Sequence, residues 1–208
     1  MEAAKTVLRE RGGTLLKIQN GNQRLIRFML RGSSYAFDPN SIFARTGIEK
    51  SLLENGKVSN EAITEVERFG QRILELIPKI TSCITALHNN TDSDYSIKSY
   101  LPGGERRKDA RSVSVSPGQD EDDITFTTDK KLFRLMASFG YNSILQDNTN
   151  AKKDGSLSVY CGEKKRRYIN IETEHGKLSL YREMLEKLME ILATENRKSS
   201  STNEEDSQ

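Results

Sequence analysis

Apolar residues recur three and four apart from Ile63 onward, through Val66, Gly70, Ile73, Ile77, Ile80, Ile84 and Leu87. A stripe of that period belongs on one face of an amphipathic helix. Ala62, Phe69, Leu74, Leu76 and Cys83 widen it, and Ser59 stands where a helix cap is wanted. Pro78 interrupts the run. It has no N–H for the Leu74 carbonyl and its ring crowds that turn, so the spacing predicts a kinked helix or two abutting ones over 59–88.

The residues before this stripe read as its packing partners. Residues 2–10 predict a short helix stopped at Gly12-Gly13. Asn20-Gly21 lies between the apolar runs Thr14–Ile18 and Gln23–Leu30, a hairpin signal because both turn residues tolerate positive φ. Ile26, Phe28 and Leu30 alternate with Arg27, Met29 and Arg31, as one face of a strand does. A helix over 23–31 stays open as an alternative, since it would line Arg24, Arg27 and Arg31 along one side. Asp38-Pro39 opens a short helix, and Asn55-Gly56 ends the apolar face that continues through Leu53.

Character changes at residue 89. Up to 123 the chain is rich in Asn, Asp, Ser, Gly and charge, which predicts a flexible linker that cannot offset the entropy of ordering. Beyond it, an N-cap at Thr128 or Asp129 precedes a helix through Leu132, Leu135, Met136 and Phe139, to about Leu145. Ser156–Cys161 and Tyr168–Glu172 alternate and read as a second hairpin, with Lys164-Lys165-Arg166-Arg167 at its tip. Leu178, Tyr181, Leu185, Leu188 and Leu192 then keep a 3-4 spacing. The fold class is α+β: two small units, each a β-hairpin packed with amphipathic helices, joined by a flexible linker. The boundaries fall at 1–88, 89–123 (linker) and 124–196, with a disordered acidic tail over 197–208.

Composition argues against most chemistry. Hydrophobic residues make up 35% of the chain and charged ones 30%, a modest core with much solvated surface. No apolar run reaches the ~18 residues of a membrane span, and the N-terminus lacks the pattern of a signal peptide. Cys83 and Cys161 fit no disulfide scaffold or zinc spacing, which suits a reducing compartment, nucleus or cytosol. His88 and His175 stand apart without a neighbouring ligand set, and no glycine-rich phosphate loop occurs. Most acids fall on polar helix faces, in the linker or in the tail. No cofactor, metal or small-molecule substrate is therefore expected.

Local charge speaks for binding instead, since the net charge of +2 hides strong patterning. Lys164, Lys165, Arg166 and Arg167, flanked by Tyr160 and Tyr168, could grip phosphates and stack on a base, serve as a nuclear-import signal, or form a solvated turn that keeps the hairpin's edge from pairing with other chains. Arg24, Arg27 and Arg31 offer a second basic surface. Leu178, Tyr181, Leu185, Leu188 and Leu192 form a packing face or a face for a protein partner or second copy, coiled-coil-like but short. Ser114 and Ser116, beside Arg111 and Pro117, suit phosphorylation. The expected function is a non-catalytic interaction or assembly protein of a nucleic-acid-associated complex. The rivals are a dedicated RNA- or DNA-binding regulator, and an enzyme with polar groups converging on a perturbed acid or histidine.

Overall fold

The computed structural model describes the backbone of residues 2–90 and 95–205 and the side chains of 2–89 and 95–197. The described elements, in chain order, are α1 (Glu2–Arg11), β1 (Ile26–Leu30), β2 (Ser33–Phe37), α2 (Arg45–Glu54), α3 (Asn60–Leu76), β3 (Ile84–Asn90), β4 (Ala110–Ser114), β5 (Ile124–Thr127), α4 (Lys130–Ser138), β6 (Asn142–Gln146), α5 (Leu157–Glu163), β7 (Tyr168–Glu174) and α6 (Leu178–Glu205). The fold is mixed α and β. None of the described helices is long and apolar enough to cross a membrane. Two compact units form, and neither is one continuous stretch. Unit 1 takes 1–15, 82–147 and 166–208, and unit 2 takes 16–81 and 148–165.

Unit 2 is built on the helical stripe. Ser59 caps α3 by accepting a hydrogen bond from the Ala62 N–H, and the stripe buries Ala62, Ile63, Val66 and Ile73. They pack against Phe37 of the β1–β2 hairpin and against Ile48 and Leu52 of α2. The hairpin turns at Arg31-Gly32, both with positive φ (48° and 74°), and not at Asn20-Gly21. Two consecutive left-handed residues match the twist of the flanking strands. Residues 14–18 form no strand, and 26–30 are strand rather than helix. Gly47, inside α2, has a packing reason. A Cβ there would collide with backbone at Asp154 and Ser41, where the Phe43 N–H donates to the Gly155 carbonyl at 2.8 Å.

The expected helix past Pro78 is not there. α3 stops at Leu76, and Ile77 before the proline is extended (ψ 120°), as a residue preceding proline prefers. Ile84 and Leu87, read as the stripe's continuation, lie instead on β3 in unit 1. β3 is the edge strand of its sheet, and Ile84 and Leu87, three apart, face opposite sides of it; their spacing matched the helical period by coincidence.

Unit 1 is a five-stranded sheet in the order β3-β7-β5-β6-β4. β3 and β7 run parallel, as do β5 and β6, while β5–β7 and β4–β6 are antiparallel. Asp129 caps α4 through the Leu132 N–H, and α4 carries the chain from β5 over to the parallel β6. The predicted helix to Leu145 therefore ends at Ser138, and Ile144 is a strand residue. Ser156–Cys161 is no strand either: Ser156 caps α5, so the second hairpin does not form, and β7 pairs with β3 and β5.

The sheet is covered on both faces. Ile169 and Ile171 of β7 meet Val7 of α1, Met136 of α4 and Met184, Leu185 and Leu188 of α6. Their alternates look the other way, where Ile124, Phe126 and Ile144 pack under Ile97 and Tyr100. Those last two belong to the stretch expected to be a flexible linker. It contributes β4 and two 3-10 turns, Ile97–Tyr100 and Arg107–Asp109, to unit 1; residues 91–94 of it lie outside the described residues. Few apolar anchors suffice, because each lands on an existing sheet. The α6 backbone stays helical through Glu205, past the point where the sequence reads as tail, and 206–208 lie outside the described residues.

A candidate acid–base site under the Tyr95–Arg106 cap of the unit 1 sheet

Strand register decides which side chains meet. His88 of β3 is paired with Glu172 of β7, and Glu172 in turn with Ile124 of β5. Residues paired in register point to the same face. His88 and Glu172 therefore stand side by side near the carboxyl ends of two parallel strands, the end where open α/β sheets hold ligands. Asn170, two residues earlier, shares that face, and its Nδ2 donates to Glu172 Oε2 at 3.1 Å. Both Glu172 and Asn170 are 8% exposed.

A cap of aromatic and cationic groups lies over this face. The Tyr95 and Tyr100 hydroxyls are 2.6 Å apart, and the Tyr100 ring leans on Phe126 with centroids 5.5 Å apart. The Arg106 guanidinium lies over the Tyr95 ring, 4.9 Å from its centroid. Gly104 makes this possible: a Cβ there would strike the backbone of Lys98 and Ser99, and the close approach lets the Arg106 N–H donate to the Ser99 carbonyl at 2.9 Å. The Arg106 Nε is buried and makes no hydrogen bond among the described residues.

Burial pushes the Glu172 carboxyl up to about 7. The Asn170 hydrogen bond and the Arg106 charge oppose that rise, while Asp122 adds to it. Tyr95 is raised well above its usual value and Tyr100 to about 12, both chiefly by burial, so both phenols stay neutral donors. On the far side of the sheet, the Tyr181 hydroxyl reaches the carbonyls of Ile171 (2.7 Å) and His88 (3.1 Å). One side chain of α6 thus pins the two strands that carry the pair.

The loop before β5 is clamped beside the same strand ends. Lys177 Nζ donates to Asp120 (2.7 Å) and Asp123 (2.9 Å) and pairs with Glu174 (3.1 Å). Asn142 holds the loop from the other end, donating to the Asp120 carbonyl and accepting from the Ser116 N–H. Among the described residues no cluster of three or more His, Cys, Asp or Glu is set to hold a metal.

The residues singled out by sequence fare differently. The basic run is no protruding tip. Lys164 caps the end of α5 and lies 6.0 Å from the Tyr160 ring centroid, and Lys165 is left-handed (φ 53°) and exposed. Both belong to unit 2, whereas Arg166, Arg167 and Tyr168 belong to unit 1. Arg167 is drawn into ion pairs with Glu195 (2.8 Å) and Asp129 (3.4 Å), and Tyr168 is buried on β7. Tyr160 is half-buried against Phe43. Arg24 pairs with Asp38 and Arg31 with Glu61, which leaves Arg27 pointing outward from β1. The α6 stripe is mostly core: Tyr181, Leu185 and Leu188 are buried, Leu192 packs beside them, and only Leu178 is exposed. Ser114 lies on β4 opposite Ser143, and Ser116 is held through its backbone by Asn142.

His88, Asn170 and Glu172, with Tyr95, Tyr100 and Arg106, were not picked out as a group by any sequence motif. A signal did exist: Asn170 and Glu172 alternate with Ile169 and Ile171 in a strand too central to have a wet face. No protein-family model matches the chain, and neither a curated protein nor a solved structure is significantly similar to it.

Proposed function

We propose that unit 1 is an acid–base catalyst for a small substrate held at the face of its sheet that Tyr95, Tyr100 and Arg106 cover. Glu172 would transfer the proton, and His88 beside it would hold or relay one. The observation that carries this reading is the in-register pairing of His88 with a buried Glu172 at the carboxyl ends of β3 and β7. A carboxyl poised near neutrality can be acid and base in one cycle. Hydrolysis of an amide or ester uses both roles. The carboxylate takes a proton from water as its oxygen adds to the carbonyl carbon, then returns it to the leaving nitrogen or oxygen as that bond breaks. One water is consumed and two products leave.

The test is turnover of a panel of N-acylated amino acids and small esters, followed by release of free amine or acid. Glu172→Gln should lower the rate at least about a hundredfold, and His88→Gln about tenfold. Circular dichroism confirms that each variant folds. A Glu172→Gln protein with undiminished turnover would remove the proposal.

A second reading draws on unit 2, whose exposed cations offer phosphate contact. Lys164 and Lys165 make no ion pair among the described residues, and Lys164 lies near the Tyr160 ring. An interaction protein of the nucleus or cytosol, meeting RNA, DNA or a protein partner, would use this surface. If it holds single-stranded RNA, Lys164→Ala/Lys165→Ala should flatten the log–log salt dependence of binding by about 1.4, roughly 0.7 per phosphate contact. Fluorescence anisotropy reads that slope directly.

A further inference from the structure

Of the buried polar atoms without a hydrogen bond among the described residues, two belong to groups that act on Glu172, and they are of opposite kind. Arg106 Nε is a donor. Its nearest acid, Glu105, is 3.5 Å away on a largely exposed side chain. Asn170 Oδ1 is an acceptor, on a residue more than nine-tenths buried. The Asn170 amide spends its Nδ2 on Glu172 Oε2 at 3.1 Å, and the oxygen is the atom left over. Groups so buried ordinarily find partners, and leaving them unpaired is costly.

A ligand meeting both needs must accept at one end and donate at the other. The edge of a guanidinium that includes Nε offers two parallel N–H bonds, which a planar carboxylate matches. An oxygen such as Asn170 Oδ1 wants an N–H or O–H. We infer that the Glu172 site binds a small carboxylic acid with an amide N–H or hydroxyl next to its carboxylate, the carboxylate on Arg106 and the donor on Asn170. This deepens the acid–base reading and rests on it. The Tyr95 ring under Arg106 and the Tyr95–Tyr100 hydroxyl pair hold the guanidinium in place for that role.

The charge of Arg106 is one of the causes that hold the Glu172 carboxyl down, so covering it has a readable consequence. The other groups acting on Glu172 are Asn170 and Asp122; His88 lies beside it in register, and the phenols of Tyr95, Tyr100 and Tyr181 feel its charge and stay neutral. The experiment is a carbon-13 NMR titration of the Glu172 carboxyl in the full chain. It is run alone, with N-acetylglycine, with the methyl ester of N-acetylglycine, and with inorganic phosphate. N-acetylglycine should raise the titration midpoint by about half a pH unit or more, since an anion now lies nearby and the guanidinium is neutralised. The ester should leave it unmoved.

Arg106→Met should raise the midpoint without ligand and abolish the response. Arg106→Lys, which keeps a charge but loses the two-pronged edge, should bind N-acetylglycine about tenfold more weakly. An equal response to the ester, an equal or larger response to phosphate, or a shift that survives in Arg106→Met overturns the inference. A Glu172 that titrates near neutrality yet ignores N-acetylglycine removes this ligand and leaves the acid–base reading in place. A Glu172 that titrates in the ordinary carboxylate range removes both.

Discussion

Glu172→Gln should make the folded protein more stable at pH 8 by about 3 kcal/mol while removing the proton transfer proposed for unit 1. The carboxyl is raised from 4.5 to about 7 in the folded chain, mainly by burial. A raised carboxyl favours folding while it is protonated. Its contribution is fully present below about pH 4.5 and is lost as pH climbs through 7. The wild type should therefore weaken across that window, and the variant should weaken less. The two curves coincide below about pH 4 and part progressively toward pH 8. Asp123, also raised by burial, acts on both proteins and cancels from the difference. The introduced amide suits the place, since its N–H₂ can donate to the unpaired Asn170 Oδ1. Urea unfolding at pH 4, 6 and 8 measures the gap. Parallel curves at all three values would mean that Glu172 titrates like an exposed acid.

Lys177→Met has the opposite sign and a comparable size. Asp123 is 2% exposed and depends on the Lys177 ammonium, which also serves Asp120 and Glu174. Burial disfavours the charged lysine, but the hydrogen bonds it donates to these acids more than restore it, and its amine is held above the usual range. Removing the lysine strands a buried carboxylate, a change that costs about 3–5 kcal/mol in a dry site. Lys177 is partly open to solvent, so the lower figure is expected. The loss should be greatest at neutral pH and shrink as Asp123 takes up a proton in acid. Adding Asp123→Asn to Lys177→Met should return most of the stability, and the double-mutant cycle isolates the pair. A loss that Asp123→Asn fails to recover would point to packing of the lysine stem instead.

Much of the secondary structure could be read locally. α3 and α6 follow from 3-4 spacing, Ser59 and Asp129 cap the helices they were placed before, and Tyr168–Glu172 is a strand. What failed did so for non-local reasons. Ile84 and Leu87 kept the helical period by coincidence, while their true partners, Tyr168 and Ile171, lie more than eighty residues away. The stretch around Tyr95–Arg106 looked too polar to fold because its few anchors gain burial only from strands supplied elsewhere. The candidate site shares that origin. His88, Arg106 and Glu172 come from three separated segments, and no spacing rule links them. The α6 stripe was legible as apolar but ambiguous in what it would cover. Its answer is β7, which Tyr181 also grips by hydrogen bonding.

The position of β7 has a cost during synthesis. β3 hydrogen-bonds to no other strand of its sheet, and β7 is made 84 residues after β3 ends. At translation rates of roughly 5–20 residues per second, β3 waits about 4–17 seconds with its backbone unpaired. In that interval β4, β5 and β6 can assemble, but the nascent chain carries an orphan strand open to pairing with the wrong neighbour. Yield on expression should then depend on how fast the ribosome covers the stretch between the two strands, and on chaperones that shield it meanwhile.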